Sequence, residues 1–249
     1  MVDMSEDFTT ARYREILVAA KQKYQFSKFT DLHKDDYIAI WRHDVDFSPH
    51  RALALAKIEA DAGVVATYFV QFSSRFYNVF EPEITEIIRE IGRLGHEIGL
   101  HYDAEVIGNV IEFDHERQLD FQVKVLEHLA QKMVITFSLH NPTTIKDAFF
   151  TELQIGELIN ASHHRWREDF SYCSDSNGLW RFRSLESMIA DPGVSRLYAL
   201  THPEWWQSKP MLPRERLQRC IDGRKTWMEN YYDTLLASNN RPNLGCKEA

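Results

Sequence analysis

The stretch Trp41–His50, WRHDVDFSPH, decides the reading of this 249-residue chain. Asp44 and Asp46 stand one residue apart, so in an extended backbone both side chains leave on the same face, about 7 Å apart at Cα. Two carboxylates that close, beside His43, repel each other unless a cation, a shared proton or water offsets the charge. The pattern suits a metal ligand next to a general base, although an isolated Asp-x-Asp more often marks a solvated acidic loop after a strand. The flanking sequence decides between the two.

The same turn is built to start a helix. Ser48 suits the N-cap, Pro49 the first helical position, and an apolar run of Ala52, Leu53, Leu55, Ala56, Ile58 and Ala60 follows until Gly63. Tyr37 to Trp41 upstream and Val64 to Val70 downstream have strand character without polar alternation. Strand, helix, strand of this kind predicts a parallel sheet covered on both faces. In such sheets the chemistry sits at the C-terminal ends of the strands, which is where Asp44 and Asp46 fall.

The alternation continues. Pro82 to Leu94 has isoleucines at helical spacing and ends at Gly95; Glu97 to His101 is the strand after it. Asp114 caps a helix reaching about Lys132, followed by a strand at Val134 to Leu139. A shorter helix is expected at Phe149 to Asn160, then strands at Phe170 to Ser174 and Arg196 to Leu200. An N-terminal helix at Thr9 to Tyr24 precedes the first strand, and a long helix at Pro213 to Ala237 closes the chain. The expected fold is α/β, an irregular or incomplete (β/α) barrel with an added N-terminal helix, and residues 1–249 are expected to form a single domain.

Three histidines then fall at strand ends on the same rim as the two acids: His101 in GHEIGLHYDAE, His140 in VITFSLHNP and His202 in LYALTHPEWW. Each alone is more often a hydrogen-bonded structural histidine, but three placed independently at one rim point to a site. Imidazoles with a carboxylate suit Zn²⁺ or a similar divalent ion and leave positions open for water and substrate.

Composition narrows the partners. A formal charge of -8 and the lack of a basic stripe argue against nucleic acid. No run of about 18 apolar residues and no signal or lipidation motif is present, so a cytoplasmic protein without a membrane span is expected. Cys173, Cys220 and Cys246 are widely separated and read as reduced thiols.

HDVD with its Ser-Pro helix, ATYFV, GHEIGLH and the late LTHPEWW together resemble the polysaccharide deacetylase superfamily, carbohydrate esterase family 4, over residues 37–206. The resemblance implies an incomplete (β/α) barrel and metal-dependent hydrolysis of an N-acyl group on a sugar. It implies Asp44 as the general base, Asp46 as a metal ligand, His101 as the first histidine of the family's His-x-x-x-His pair, and His202 as the acid that protonates the leaving amine. The chain departs from the pattern at two points. Glu105 stands where the second histidine of the pair belongs, and HNPTT replaces the family's Arg-Pro-Pro-Tyr-Gly. His140 or Glu105 must complete the ligand set. His140 is preferred, because a neutral imidazole preserves the charge of an Asp, His, His triad and a strand end is rigid. Asp175 and Trp180 correspond only loosely to the family's later Asp and Trp.

The expected activity is removal of an acetyl or related acyl group from a small or lipid-linked amino sugar, in surface polysaccharide biosynthesis. Two rivals stand beside it: a metal-dependent hydrolase of a non-sugar amide or ester, and a non-catalytic sugar-binding relative. Other conspicuous residues are expected to be structural or solvated. His96 faces the opposite rim, His163 and His164 lie in a polar run, and His43 alternates away from Asp44. Trp205 and Trp206 either stack on a sugar or pack beneath a loop, and the sequence leaves open whether Arg42 and Arg181 pair with Asp44 or Asp175.

Overall fold

The fold is organised on strand β2, Ile38–Val45, all eight residues of which are buried. Ala39, Trp41 and Val45 join a large core on one face of the sheet, whereas Ile38 and Ile40 pack with Phe29, Phe69, Trp166, Phe170 and Tyr198 on the other. Because side chains alternate with a period of two, Arg42 and Asp44 continue the Ile38 and Ile40 row, and Asp46 follows just past the strand end. The row therefore passes from an apolar floor to a charged mouth. The computed structural model describes residues 8–32, 36–104, 114–142, 151–180 and 182–245.

In chain order, α1 (Thr10–Lys23) and the short β1 (Gln25–Ser27) precede β2. Then follow α2 (Pro49–Asp61), β3 (Thr67–Gln71), α3 (Pro82–Arg93), β4 (Glu97–Tyr102), α4 (His115–Ala130) and β5 (Thr136–Leu139). The remainder is β6 (Gln154–Ile155), β7 (Leu158–Asn160), α5 (Arg165–Asp169), β8 (Ser171–Ser174), α6 (Leu185–Ala190), β9 (Arg196–Thr201) and α7 (Pro213–Ser238). The expected start of α2 is seen: Ser48 Oγ accepts from the Arg51 amide, Pro49 opens the helix, and Gly63 takes φ +65° after its end.

Across the sheet the order is β6-β7-β5-β4-β3-β2-β9-β8, with β1 pairing the first half of β2 on the side where β3 pairs the second half. Every pair is parallel except the β6–β7 hairpin. Among the described residues β6 and β8 do not meet, so the sheet is a curled half-barrel wrapped by helices, the incomplete α/β barrel that the sequence implied. Gly99 is needed inside it: a Cβ there would sit 2.5 Å from the Phe69 ring and 2.9 Å from Thr136 Oγ1.

The helix expected over Phe149–Asn160 is not formed by the described part of that segment. Gly156 takes φ +58° between β6 and β7, and Ile159 and Asn160 pair with Thr136 and Phe137 of β5. Extension of a parallel sheet therefore wins over a weak helical pattern, while Phe149 and Phe150 lie outside the described residues. Strand β1 and the helices α5 and α6 were not anticipated, since three to six residues carry too little periodicity to be read.

Candidate active site

The ends of β2, β4, β5 and β9 bring Asp46, His101, His140 and His202 together. Parallel register levels these ends: His101 pairs with Gln71 on one side and Ser138 on the other, and β2 lies between β3 and β9. Asp46 Oδ1 is 3.2 Å from His101 Nε2 and 3.6 Å from His140 Nδ1, and those two nitrogens are 3.3 Å apart. Ligands about 2.1 Å from a tetrahedral ion stand about 3.4 Å from one another, so the three edges match a zinc-type centre. No other group of three His, Cys, Asp or Glu among the described residues converges in this way.

Two further observations fit a cation here. Asp46 Oδ1 is buried and receives no hydrogen bond, which is costly for a carboxylate oxygen lacking a cation. His101 Nδ1 lies 2.7 Å from Ser138 Oγ, and donation from Nδ1–H to that hydroxyl leaves the Nε2 lone pair facing Asp46 and His140. Burial would raise the Asp46 carboxyl, but the imidazoles of His101 and His140 that face it overcome burial and hold the group well below the ordinary value. Desolvation would lower His140, but the facing Asp46 carboxylate outweighs it and His140 is raised.

Asp44 borders this centre, with Oδ2 3.7 Å from His101 Nε2. Arg42 grips it with a two-toothed fork, Nε to Oδ1 and Nη2 to Oδ2, each 2.7 Å. The guanidinium is itself fixed by Tyr198 Oη at 2.8 Å and stacks over Phe69. Desolvation pushes the Asp44 carboxyl up, but Arg42 and His101 prevail and keep it below the usual range, ionised.

On the other side His202 Nε2 lies 4.0 Å from Asp46 Oδ2, and its Nδ1 is 2.7 Å from Asp175 Oδ1. Asp175 is fully buried and also accepts from the His202 amide and from Trp206 Nε1. Burial opposes the charged imidazole, but Asp175 and then Asp46 and Glu204 raise His202 to about 10. Glu204 is buried, neither carboxyl oxygen has a hydrogen-bond partner, and burial beside Asp46 pushes its pKa well up.

All five residues singled out in the sequence thus line one cleft of about 520 Å³ together with Arg42. A larger groove of about 1030 Å³ between α7 and the starts of α2 and α3 contains none of them. Glu105 and Arg181 lie outside the described residues. Arg42 pairs with Asp44, the choice that sequence left open. Sequence reasoning underweighted Asp175, because its partner is 27 residues away.

Trp205, Trp206, His43 and His96 take structural places. Trp205 and Trp206 are buried, the latter against Phe8, Tyr13 and Trp180, so both pack rather than face the cleft. His43 points to the helix side, 2.6 Å from Glu59 and 2.7 Å from Thr201 Oγ1. His96 is buried, accepting from the Ala66 amide and donating to Ala56 O.

No protein-family model matches the sequence, and no curated protein does. The solved structures that it resembles include family 4 carbohydrate esterases. One is the CE4 domain of a multidomain xylanase from a Trinervitermes trinervoides hindgut metagenome, at 12% identity and TM-score 0.47, covering 86% of this chain and 96% of that one. Another is a chitin deacetylase from the fungal pathogen Colletotrichum lindemuthianum, at 16% identity and TM-score 0.43, covering 75% and 81%. A third is a CE4 family pseudoenzyme from Bacillus anthracis, at 14% identity and TM-score 0.43, where the match covers 78% of this chain and 63% of that protein. Such likeness concerns the course of the chain, and the chemistry rests on the side chains described above.

Proposed function

We propose that this chain is a metal-dependent hydrolase that removes an N-acetyl or related acyl group from an amino sugar, in surface polysaccharide biosynthesis. The observation that carries the reading is the three-ligand constellation of Asp46, His101 and His140, flanked by an ionised carboxylate, Asp44, and a protonated imidazole, His202. The sugar amide as substrate is supported by the resemblance of HDVD, ATYFV, GHEIGLH and LTHPEWW to the polysaccharide deacetylases.

In this reading Asp46, His101 and His140 hold the ion, and their donor set suits Zn²⁺. When bound, a divalent ion supplies Lewis-acid polarisation of the acyl carbonyl. Asp44 takes the proton of the attacking water. The Arg42 fork aims its carboxylate and keeps it ionised, at some cost in basicity. As the C–N bond breaks and acetate forms, His202 gives its Nε2 proton to the departing amine, while Asp175 holds the opposite edge of the ring. Among the described residues no helix is long and apolar enough to cross a membrane.

Acetate release from N-acetylglucosamine and its nucleotide and lipid-linked forms tests the reading. Release that chelation abolishes and Zn²⁺ restores is expected. Hydrolysis confined to O-acetyl sugars or non-sugar amides would replace the substrate class, and metal-loaded protein that releases nothing from any of them would leave a binding role.

A further inference from the structure

The cleft runs against the charge of the chain. Among the described residues its lining contains three arginines, Arg42, Arg167 and Arg183, and two carboxylates, Asp44 and Asp46, in a protein whose formal charge is -8. Two of the arginines are occupied: Arg42 by Asp44, and Arg183 by Asp191, 2.9 Å away.

Arg167 has no ion pair among the described residues. The two acids beside it on α5 face other partners, Glu168 toward His164 at 4.0 Å and Asp169 toward Arg165 at 3.1 Å. Its guanidinium lies over the Tyr172 ring, 4.7 Å from the centroid, and Tyr172 is fixed in β8 by its pairing with Tyr198 of β9. A guanidinium stacked on an aromatic ring keeps its N–H edges available, and among the described residues no side-chain hydrogen bond of Arg167 uses them; such edges grip a phosphate or carboxylate with two parallel bonds. Phe182, 92% exposed, lines the same cleft and offers a ring face to a sugar or base.

We propose that Arg167 binds an anionic group of the substrate, the phosphate of an activated sugar or the carboxylate of a sugar acid, beside the metal-ligand constellation. The proposal rests on the hydrolase reading, since it assigns the substrate class of the same cleft. It explains why an exposed arginine with no ion pair among the described residues lines a site in an acidic protein. A neutral polymer would gain nothing from it.

The test is calorimetric titration of metal-loaded wild type and Arg167→Gln with N-acetylglucosamine, its 1-phosphate and the corresponding uronic acid, with metal content and acetate release measured on the same samples. Wild type is expected to bind one of the anionic compounds about tenfold or more tighter than neutral N-acetylglucosamine, as a charge-assisted bond implies, and less so at high salt. Which of the two wins tells phosphate from carboxylate. Arg167→Gln should abolish the preference and leave the neutral sugar's affinity unchanged. The proposal is overturned if neutral and anionic sugars bind alike, if the preference survives in Arg167→Gln, as it would were the anion held by the metal, or if wild type binds none of the three. Equal acetate release from neutral and anionic sugars by both proteins would sink it while leaving the hydrolase intact. An Arg167-dependent preference without acetate release would do the reverse.

Discussion

His202 Nδ1 lies 2.7 Å from Asp175 Oδ1, and that carboxylate is wholly buried. Asp175 does not line the cleft and therefore acts on the chemistry through His202, by fixing its orientation and holding its proton.

The pH dependence follows from that pair. With His202 raised to about 10, its protonated form persists through neutral pH, and an acid role is lost as pH rises through that value. The same group is worth stability that is fully present below its ordinary value of 6.5 and disappears as pH climbs from there to about 10. Asp175→Asn removes the main raising influence, so the alkaline limb of kcat should move down by about a unit or more, where one unit is about 1.4 kcal/mol. A pH–rate profile with an unmoved alkaline limb would exclude His202 as the acid.

The metal ligands separate by substitution. His101→Ala and His140→Ala should each lose most of the bound ion, whereas Glu105→Gln should keep it nearly intact, since a change outside the ligand set costs less than loss of a ligand. Metal content by mass spectrometry after equilibration with limiting Zn²⁺ gives the ranking. The reverse order for His140 and Glu105 would assign the third position to the carboxylate.

Arg42 should matter to both stability and rate. The pair with Asp44 is almost solvent-free, each side chain about 5% exposed, and breaking such a pair costs about 3–5 kcal/mol. Arg42→Met should therefore lower stability by that order in denaturant unfolding, and Arg42→Met/Asp44→Asn should recover part of it. Asp44 is held low chiefly against the burial that would raise it, so losing Arg42 raises its pKa. A base is active only when deprotonated, so in Arg42→Gln the acid limb of the rate should shift to higher pH.

Much of this site is legible along the chain because its determinants are local. The Ser48 and Pro49 helix start fixes where β2 ends, and the two-residue period then places Asp44 and Asp46 on one face. His101, His140 and His202 could be placed at the rim because each closes an apolar run. The same period puts Arg42 on the Asp44 face, a pairing that was within reach of the sequence, but Arg181 competed for it. What stayed hidden depends on distant pairing: β6 and β7 exist because β5 offers an edge, and Asp175 finds His202 only once β8 lies beside β9.

The most direct test of the account is acetate release from an N-acetylated amino sugar by Asp44→Asn against wild type, both with one Zn²⁺ per chain confirmed and thermal unfolding compared. The amide keeps the shape of the carboxylate but cannot accept the proton, so turnover should fall by about 100-fold or more with metal and fold retained. Wild-type turnover in the metal-loaded Asp44→Asn protein would contradict the assignment of this residue and, with it, the proposed hydrolytic mechanism.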